Sequence, residues 1–297
     1  MGSLKTLSFA GAVAMVATSA ALVTPAAAAD LMPPPMVAPA PPPMIDAGIS
    51  GLYLRGDVGV GKLNHDGFHQ PEVAAAPGGH WLRTSLGDTA LMGVGVGYQV
   101  NSFLRFDVTG EYRTAASLSG VDGYNFFCTF AGGSCPAIGT TIRRNNFWSG
   151  KMSSFVVLAN AYADLGTWNG LTPFIGAGVG GAYNRIFGVT DFDPSDLGGG
   201  GYATDRSKWN FAWALHAGLA YDVTSNVKVE LAYRYLNLGN VATGGLNCLS
   251  PTGAVCGYGP LTVKSVSSSD VKLGVRWLLA DRAMPVAMPA GPLIRKY

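Results

Sequence analysis

The feature that most constrains the fold of this chain is an alternation of apolar and charged side chains with a period of two residues. Between Leu104 and Arg113, leucine, phenylalanine, valine and tyrosine alternate with arginine, aspartate, threonine and glutamate, and the segment from Val227 to Tyr235 repeats the pattern with lysine, glutamate and arginine. Neighbouring side chains of a β-strand point to opposite faces of the sheet. Each strand therefore has one apolar and one charged face, which is typical of a sheet that separates lipid from an enclosed polar space.

Eight segments of this kind follow one another after Gly51, each close to the roughly 9 to 11 residues with which a tilted strand crosses a bilayer. The predicted strands are 51–61, 90–100, 103–113, 152–165, 171–183, 209–221, 226–236 and 270–279. An even number of strands lets one antiparallel sheet close on itself, so that no unpaired edge faces lipid. We therefore predict an all-β fold, an eight-stranded antiparallel transmembrane β-barrel.

The connections between these strands are short and long in turn. The short ones are 100–102, 166–170 and 222–225, and the long ones are 62–89, 114–151, 184–208 and 237–269. Barrels of bacterial outer membranes have short periplasmic turns and longer extracellular loops. This alternation predicts four long extracellular loops and places both chain termini in the periplasm of a Gram-negative cell.

Composition narrows the class of protein further. Only 13% of the 297 residues are charged, about half of what soluble domains carry, and no run of 18 apolar residues follows the N-terminal region, which argues against helical membrane spans. The 20 basic and 18 acidic residues leave a formal charge of +2 and form no basic cluster. Nucleic acid is therefore not expected as a partner.

The two ends of the chain differ from the rest. An apolar stretch followed by small residues predicts a signal peptide, cleaved after Ala28 or Ala29, and the proline-rich segment behind it favours an extended polyproline II spacer. The predicted organisation is a signal peptide over 1–29, a periplasmic spacer over 30–49, the outer-membrane barrel over 50–279 and a periplasmic tail over 280–297.

The charged face of the strands predicts the content of the barrel. A charge on the lipid side at the bilayer midplane costs roughly 2 to 4 kcal/mol, so the charged set must face inward. An eight-stranded barrel has room only for its own side chains, and we expect a packed lumen, joined by Asn160 and His216, without a wide pore. The predicted lumen charge network consists of Arg55, Asp57, Arg105, Asp107, Glu111, Arg113, Lys228, Glu230, Arg234, Lys272 and Arg276.

Small and aromatic residues complete this barrel. Glycines at alternate positions are expected to make room in the lumen for long side chains; they are Gly93, Gly95, Gly97, Gly176, Gly178 and Gly180. Aromatic girdles mark the two bilayer interfaces of such barrels. We expect Trp81, Trp148, Trp209, Trp213 and Tyr235 at the extracellular rim, and Tyr98, Trp168, Tyr221 and Trp277 at the periplasmic rim.

Four cysteines lie in two of the long connections and allow three pairings. An exported chain enters an oxidising compartment, so local disulfides are predicted between Cys128 and Cys135 and between Cys248 and Cys256. Two alternatives stay open, a pairing across the loops and a metal site, although no histidine is near either pair in sequence.

Catalytic, cofactor and metal sites are not predicted. The spacing Gly176-x-Gly178-x-x-Gly181 matches a dinucleotide fingerprint but opens no helix that could hold a pyrophosphate. His216 and Ser154 could form a catalytic pair only inside the lumen, away from any lipid substrate. His65, His69 and His80 in the first long connection could bind haem or a metal ion, but exposed loop histidines are more often solvated.

Several segments resemble a known family. They are the signal ending Ala-Ala-Ala-Asp, the opening strand from Leu52 to Gly59, the strands 215–221 and 229–235, and the closing strand from Asp270 to Trp277. Together they are similar to the opacity-protein and OmpA-like β-barrel surface antigens of alphaproteobacterial outer membranes, also described as porin-family proteins. The resemblance implies an abundant envelope protein that supports outer-membrane integrity and presents surface loops, whereas some relatives are described as porins and some as haemin binders.

The resemblance also implies partners. Outer-membrane lipid and lipopolysaccharide would surround the barrel, and the barrel assembly machinery would insert it, although this chain continues beyond Trp277 where family barrels usually end on an aromatic residue. Members of similar families carry a mature N-terminal Ala-Asp that is linked to peptidoglycan. The corresponding residues here are Ala29 and Asp30, if cleavage follows Ala28, and an ordinary free N-terminus is the alternative.

Overall fold

The described residues of a computed structural model are 50–133, 135–194, 199–249 and 257–279. They form β1 Gly51–Asn64, β2 Gly67–His69, α1 Pro71–Ala75, β3 His80–Leu86, β4 Asp88–Gln99, β5 Leu104–Phe127, β6 Thr141–Asp164, β7 Leu171–Asp193, β8 Gly199–Ala203, β9 Arg206–Asp222, β10 Val227–Ala242, β11 Leu246–Leu249, β12 Gly257–Tyr258 and β13 Thr262–Leu278. The predicted signal peptide, spacer and tail lie outside the described residues.

Eight long strands close an antiparallel ring. Each pairs with the next along the chain, in the order β1, β4, β5, β6, β7, β9, β10 and β13, and β13 pairs back with β1. Closure leaves the ring without an unpaired edge strand, which a bilayer requires because it offers no water to unpaired amides. The eight-stranded antiparallel barrel predicted from the alternation is thus confirmed.

The long connections contain strand as well as loop, so the predicted bounds of several strands were too short at this end. Strands β5 and β6 each run for 24 residues and β7 for 23, well beyond a bilayer. The short strands continue the same wall: β2 pairs with β13, β3 with β5, β8 with β7, and β11 with both β8 and β12. The barrel therefore has a tall extracellular extension above its membrane part.

The opposite end of the barrel has the predicted short turns. Asn101 shows how they form, because its side-chain oxygen accepts hydrogen bonds from the backbone N–H groups of Phe103 and Leu104, at 3.0 and 2.7 Å. Asn169 and Gly170 have positive φ angles in the next turn, and Thr224 accepts from the N–H of Val227 in the third.

The outer face carries an apolar belt with aromatic residues at both borders. Tyr112, Phe155, Tyr183 and Trp209 are cross-strand partners on β5, β6, β7 and β9, and we call them the upper aromatic row. Phe106, Tyr98, Trp168, Tyr221 and Trp277 are exposed at the periplasmic border. Among the described residues, no helix is long and apolar enough to cross a membrane.

Two tryptophans predicted for the extracellular girdle lie elsewhere. Trp148 is only 4% exposed and points inward, and Trp81 packs against it with ring centroids 5.7 Å apart. The reason is the extension itself, because β3 and the upper part of β6 stand above the lipid, where apolar side chains turn inward. Trp209 is 57% exposed on the outer face, as predicted.

The interior consists of two layers. The lower one, within the apolar belt, is charged. The upper one, inside the extension, is an apolar core that includes Leu118, Met152, Ile186, Leu236 and Leu238, each buried to at least 98%. On the outside of the extension the pattern is reversed, because Ser117 and Ser119 on either side of Leu118 are exposed. The wall thus exchanges its apolar and polar faces on leaving the membrane.

Candidate functional site

The barrel interior is the candidate site, since it brings together most of the residues that the sequence singled out. Arg55 is at the centre of its lower part. Its guanidinium donates to Asp57 at 2.8 Å, to Asp107 at 2.9 Å and to the hydroxyl of Tyr162 at 3.0 Å. These side chains come from β1, β5 and β6, so the cluster ties three strands together across the lumen.

A second cluster is centred on Asp270 of β13. Arg113 Nη2 lies 2.8 Å from Asp270 Oδ1, and Arg234 Nη2 lies 2.6 Å from Asp270 Oδ2. Both arginines also pair with Glu111. Lys272 joins the two clusters, with its ammonium 3.1 Å from Glu111 and 3.4 Å from Asp57.

The network is balanced in charge. Six cations and six anions of the described lumen take part in these ion pairs: Arg55, Arg105, Arg113, Arg234, Lys272 and Arg276 with Asp57, Asp107, Glu111, Asp164, Glu230 and Asp270. Buried ions are tolerated where opposite charges and hydrogen bonds replace the lost water. Equal numbers of the two signs meet that condition.

Sequence reasoning missed two members and misplaced one. Asp164 pairs with Arg105 at 3.1 Å, and Asp270 holds the second cluster, yet both lie at the ends of predicted strands and were not assigned to the lumen. Tyr162 and Lys272 each lie two residues away on the same strand and face inward. This alternation could have assigned Asp164 and Asp270 to the lumen. Lys228 is at the periplasmic rim instead, with its side chain 22% exposed, and pairs with Asp222 at 2.6 Å.

Aromatic rings and glycines fit the long side chains into the narrow lumen. The guanidinium of Arg105 lies 4.1 Å from the centre of the Tyr162 ring and 4.7 Å from that of Phe174, which is a favourable stacking position. A Cβ atom at Gly176 would collide with the Tyr162 ring, and one at Gly97 with the Tyr53 ring. These two glycines thus make room for aromatic rings, whereas a Cβ atom at Gly95 would meet the side chain of Arg55 at 3.0 Å, as the sequence suggested.

His216 and Ser154 do not form a catalytic pair. His216 Nε2 lies 3.2 Å from the side-chain oxygen of Asn160, and Ser154 donates to Asn184 at 2.6 Å. The structure gives each a different amide partner inside the lumen.

The three histidines of the first extracellular connection have separate surroundings. The ring of His65 packs on Phe68 at 5.0 Å, and burial lowers the pKa of His65. His80 lies against the guanidinium of Arg143, and His69 is exposed on β2. No group of three metal-ligating side chains is present in the described part of the chain.

The predicted disulfide between Cys128 and Cys135 is confirmed, with an S–S bond and a Cα–Cα distance of 5.7 Å. It closes the tip of the β5–β6 hairpin, where Phe127, Phe130 and Ile138 are 58%, 40% and 69% exposed. Cys248 is also disulfide-bonded. Its predicted partner Cys256 lies outside the described residues.

Three carboxylates share the inner wall of the extension, above the upper aromatic row. Asp122 is fully buried and accepts from the indole N–H of Trp148 at 2.7 Å, and Asp193 pairs with Arg144 at 2.7 Å. Burial, together with the charges of Asp122 and Asp193, raises the pKa of Asp191 to about 6. Asp205 on the outside differs, because hydrogen bonds from Arg185 and from the N–H of Gly188 lower its pKa.

Sequence comparison gives a family for this arrangement. The family model described as an outer membrane protein beta-barrel domain matches residues 14–249. An uncharacterized protein of Brucella abortus is 33% identical over 203 residues, which cover 64% of this chain and 69% of the relative. A putative adhesin of Rickettsia massiliae is 25% identical over 232 residues, covering 76% and 86% of the two chains.

Comparison with solved structures finds the Neisserial surface protein A. It is 20% identical, the match covers 77% of this chain and 97% of that protein, and the TM-score is 0.39. At this score the likeness adds nothing to the family match.

Loss of one network carboxylate should destabilise the barrel far more than loss of a rim carboxylate. Asp270→Asn leaves Arg113 and Arg234 buried without a full counter-charge, and we expect it to lower the free energy of unfolding from lipid vesicles by about 3 to 5 kcal/mol. The matched control is Asp222→Asn at the rim pair with Lys228, which water reaches, and there we expect a loss of about 1 kcal/mol or less. Equal losses in denaturant titrations of the two variants would contradict the role of the network.

The carboxylates of the extension should give a pH dependence of opposite sign at two positions. The pKa of Asp191 is higher in the folded chain than its ordinary value of 3.8, so its contribution to stability is present at low pH and is lost as pH rises through about 6. We therefore expect Asp191→Asn to slow hydrogen exchange in β6, β7 and β8 relative to the wild type at pH 8, but not at pH 4.

The control for this comparison is Asp205→Asn. Because the pKa of Asp205 is lowered in the fold, its stabilising contribution is present at neutral pH and declines as pH falls. This variant should exchange faster than the wild type at pH 8. Faster exchange in Asp191→Asn at pH 8 would refute the assignment of the buried carboxylates.

Proposed function

This chain belongs to the family of outer membrane β-barrel proteins, and we propose that in the outer membrane it acts as a closed structural barrel that supports the envelope and presents a surface antigen. The observation that carries the proposal is the filled interior. The buried side chains of the polar layer are held by ion pairs from opposite walls, and the apolar core stands directly above them. A solute would have to separate both layers.

The alternative is a narrow porin for small solutes, which would need a water-filled path along the barrel. In the polar layer Arg105 has no exposed surface and Arg234 has 1%, and in the apolar core Leu236 and Leu238 have none. Such packing favours the closed barrel over the channel. A non-catalytic role is part of the same proposal.

Conductance distinguishes these two functions. The purified protein in planar lipid bilayers is expected to give no steady unitary currents, because both interior layers stay packed when the barrel is inserted. Insertion is checked on the same preparation by protection of the membrane strands from trypsin. Reproducible single-channel steps of constant size would establish the porin and contradict the closed barrel.

For the surface role, the tip of the β5–β6 hairpin is the most favourable contact site. It lies fifteen residues beyond Tyr112 along β5, on the order of 50 Å of strand at about 3.3 Å per residue. Three large apolar side chains are exposed there beside the disulfide, whereas soluble surfaces seldom cluster such residues without a binding role. A relative is named a putative adhesin, which agrees with contact to a host surface.

Substitution at the tip tests this contact. We expect cells that display the variant Phe127→Ser/Phe130→Ser/Ile138→Ser to adhere severalfold less to host epithelial cells than cells that display the wild type, since the apolar contact area is removed. The control Phe192→Ser changes an equally exposed phenylalanine, 57% accessible, on the wall of the extension. Unchanged adhesion of the tip variant, at equal surface amounts, rules the tip out.

Haemin binding through the extracellular connections is a further alternative. It rests on His65, His69 and His80, which the structure does not gather into one ligand set. Haem titration of the protein and of the triple alanine variant decides the question, because the hypothesis fails if saturable binding is absent or survives the substitutions.

We also propose that the N-terminus tethers the barrel to peptidoglycan through Ala29, with Asp30 and the proline-rich segment as spacer. Support comes from the sequence, because some 20 extended residues at roughly 3.1 Å each could span on the order of 60 Å. Peptidoglycan boiled in detergent and digested with trypsin and a muramidase should release a muropeptide joined to the Ala29 amine. Mass spectra that contain only free Ala29 or Asp30 termini would reject the tether.

A further inference from the structure

The lipid-facing side of β13, β1, β4 and β5 contains a groove of about 570 Å³. Two glycines that face outward form it. Gly56 and Gly110 are the cross-strand partners of Val94, one on each side, so that the valine stands between two positions without side chains. We call this feature the glycine groove.

Both glycines open onto free space rather than onto packed neighbours. A Cβ atom at Gly56 would have no atom within 4 Å, and one at Gly110 would meet only the Phe155 ring, at 3.8 Å. Lumen glycines differ, because Gly97 and Gly176 are filled by the rings of Tyr53 and Tyr162. The glycine groove is therefore not explained by the packing of the protein.

The groove has a definite depth in the membrane. Gly110 lies two residues below Tyr112, about 7 Å along the strand, and so directly beneath the upper aromatic row. Its outward walls are Val58, Met92, Val94, Tyr112, Phe155 and Leu273, all between 42% and 70% exposed and none charged. This is the half of the hydrocarbon region nearest the cell exterior.

We propose that the glycine groove is a binding site for one acyl chain of an outer-leaflet lipid. The groove is continuous with the belt that faces lipid and offers no polar outward side chain, so its ligand must be a hydrocarbon. The groove is only as wide as one missing side chain on each of two strands. A stable contact with a second barrel would need a much larger surface, on the order of 800 Å² from each partner. A flexible acyl chain fits such a slot, and Tyr112 and Phe155 would pack along it.

Photolabelling tests the site. The full-length protein is reconstituted with phosphatidylethanolamine that carries a diazirine in its acyl chain or, in a second arm, with lipid A labelled in the same way. After irradiation, we expect severalfold more label on Met92, Val94 and Tyr112 than on Val179 of β7 and Leu215 of β9, two exposed outward residues of the opposite wall. Label from lipid A, the lipid of the outer leaflet, is the expected result, and label from phosphatidylethanolamine alone would overturn an outer-leaflet lipid as the ligand.

Filling the groove provides the matched variant. Gly56→Leu/Gly110→Leu should insert and fold normally, because both positions point into open space, but its labelling of Val94 should fall to the level of the opposite wall. The control Ala177→Leu/Ala217→Leu adds the same side chains at exposed positions of β7 and β9 and should leave the labelling of Val94 unchanged. Even labelling around the wild-type barrel, unchanged labelling of the filled variant, or cross-links at Val94 between two copies of the chain would each overturn the proposal.

Discussion

A wall one strand thick that stands in two solvents is the constraint on which this structure depends. Below the upper aromatic row its outside meets hydrocarbon, which accepts no unpaired polar group, and above the row it meets water. Because neighbouring side chains of a strand point to opposite faces, the solvent outside also determines which side chains face the interior. Apolar side chains must face lipid, so the membrane part leaves its charges in the lumen, whereas the extension turns polar residues such as Ser117 outward and buries Leu118.

Different interactions therefore stabilise the two layers of the interior. In the membrane part, burial of any single charge is unfavourable, and only the mutual pairing of Arg113, Arg234, Asp270 and their neighbours offsets it. In the extension, removal of apolar surface from water is favourable for each residue by itself, at about 25 cal/mol per Å². The polar layer is thus sensitive to single substitutions that remove a charge, while the apolar layer tolerates changes that conserve volume.

The difference between prediction and structure follows from the same wall. Eight strands and the inward charges could be predicted because period two is unbroken inside the membrane. Above it, an extra residue between Arg113 and Ala116 on β5, and another at Gly188 on β7, shift the inward side from one parity to the other. A search for unbroken alternation ends at such β-bulges, so the upper parts of both strands were taken for loops.

The interior of the extension was missed for a related reason. Trp148 lies in a stretch whose alternation gives an inward apolar face and an outward polar one, the reverse of the membrane strands, and its sequence alone does not say on which side of the lipid border it stands. The charge network was predicted well in its middle and poorly at its ends. Asp164 and Asp270 are strand residues in the structure, but each falls at the end of a predicted strand. There the alternation can be followed on one side of the residue only, so its inward orientation was not assigned.

The extension also determines what the surface tip can do. If 114–151 were a flexible loop, a partner that binds its tip would have to order many residues, at a cost of about 1 to 2 kcal/mol for each backbone unit that is fixed. In the structure, paired strands carry the tip, and the disulfide between Cys128 and Cys135 closes it, so this ordering is complete before any contact is made. The apolar core that holds β5, β6 and β7 upright is therefore also what would let a few exposed side chains, with little buried area, suffice for binding.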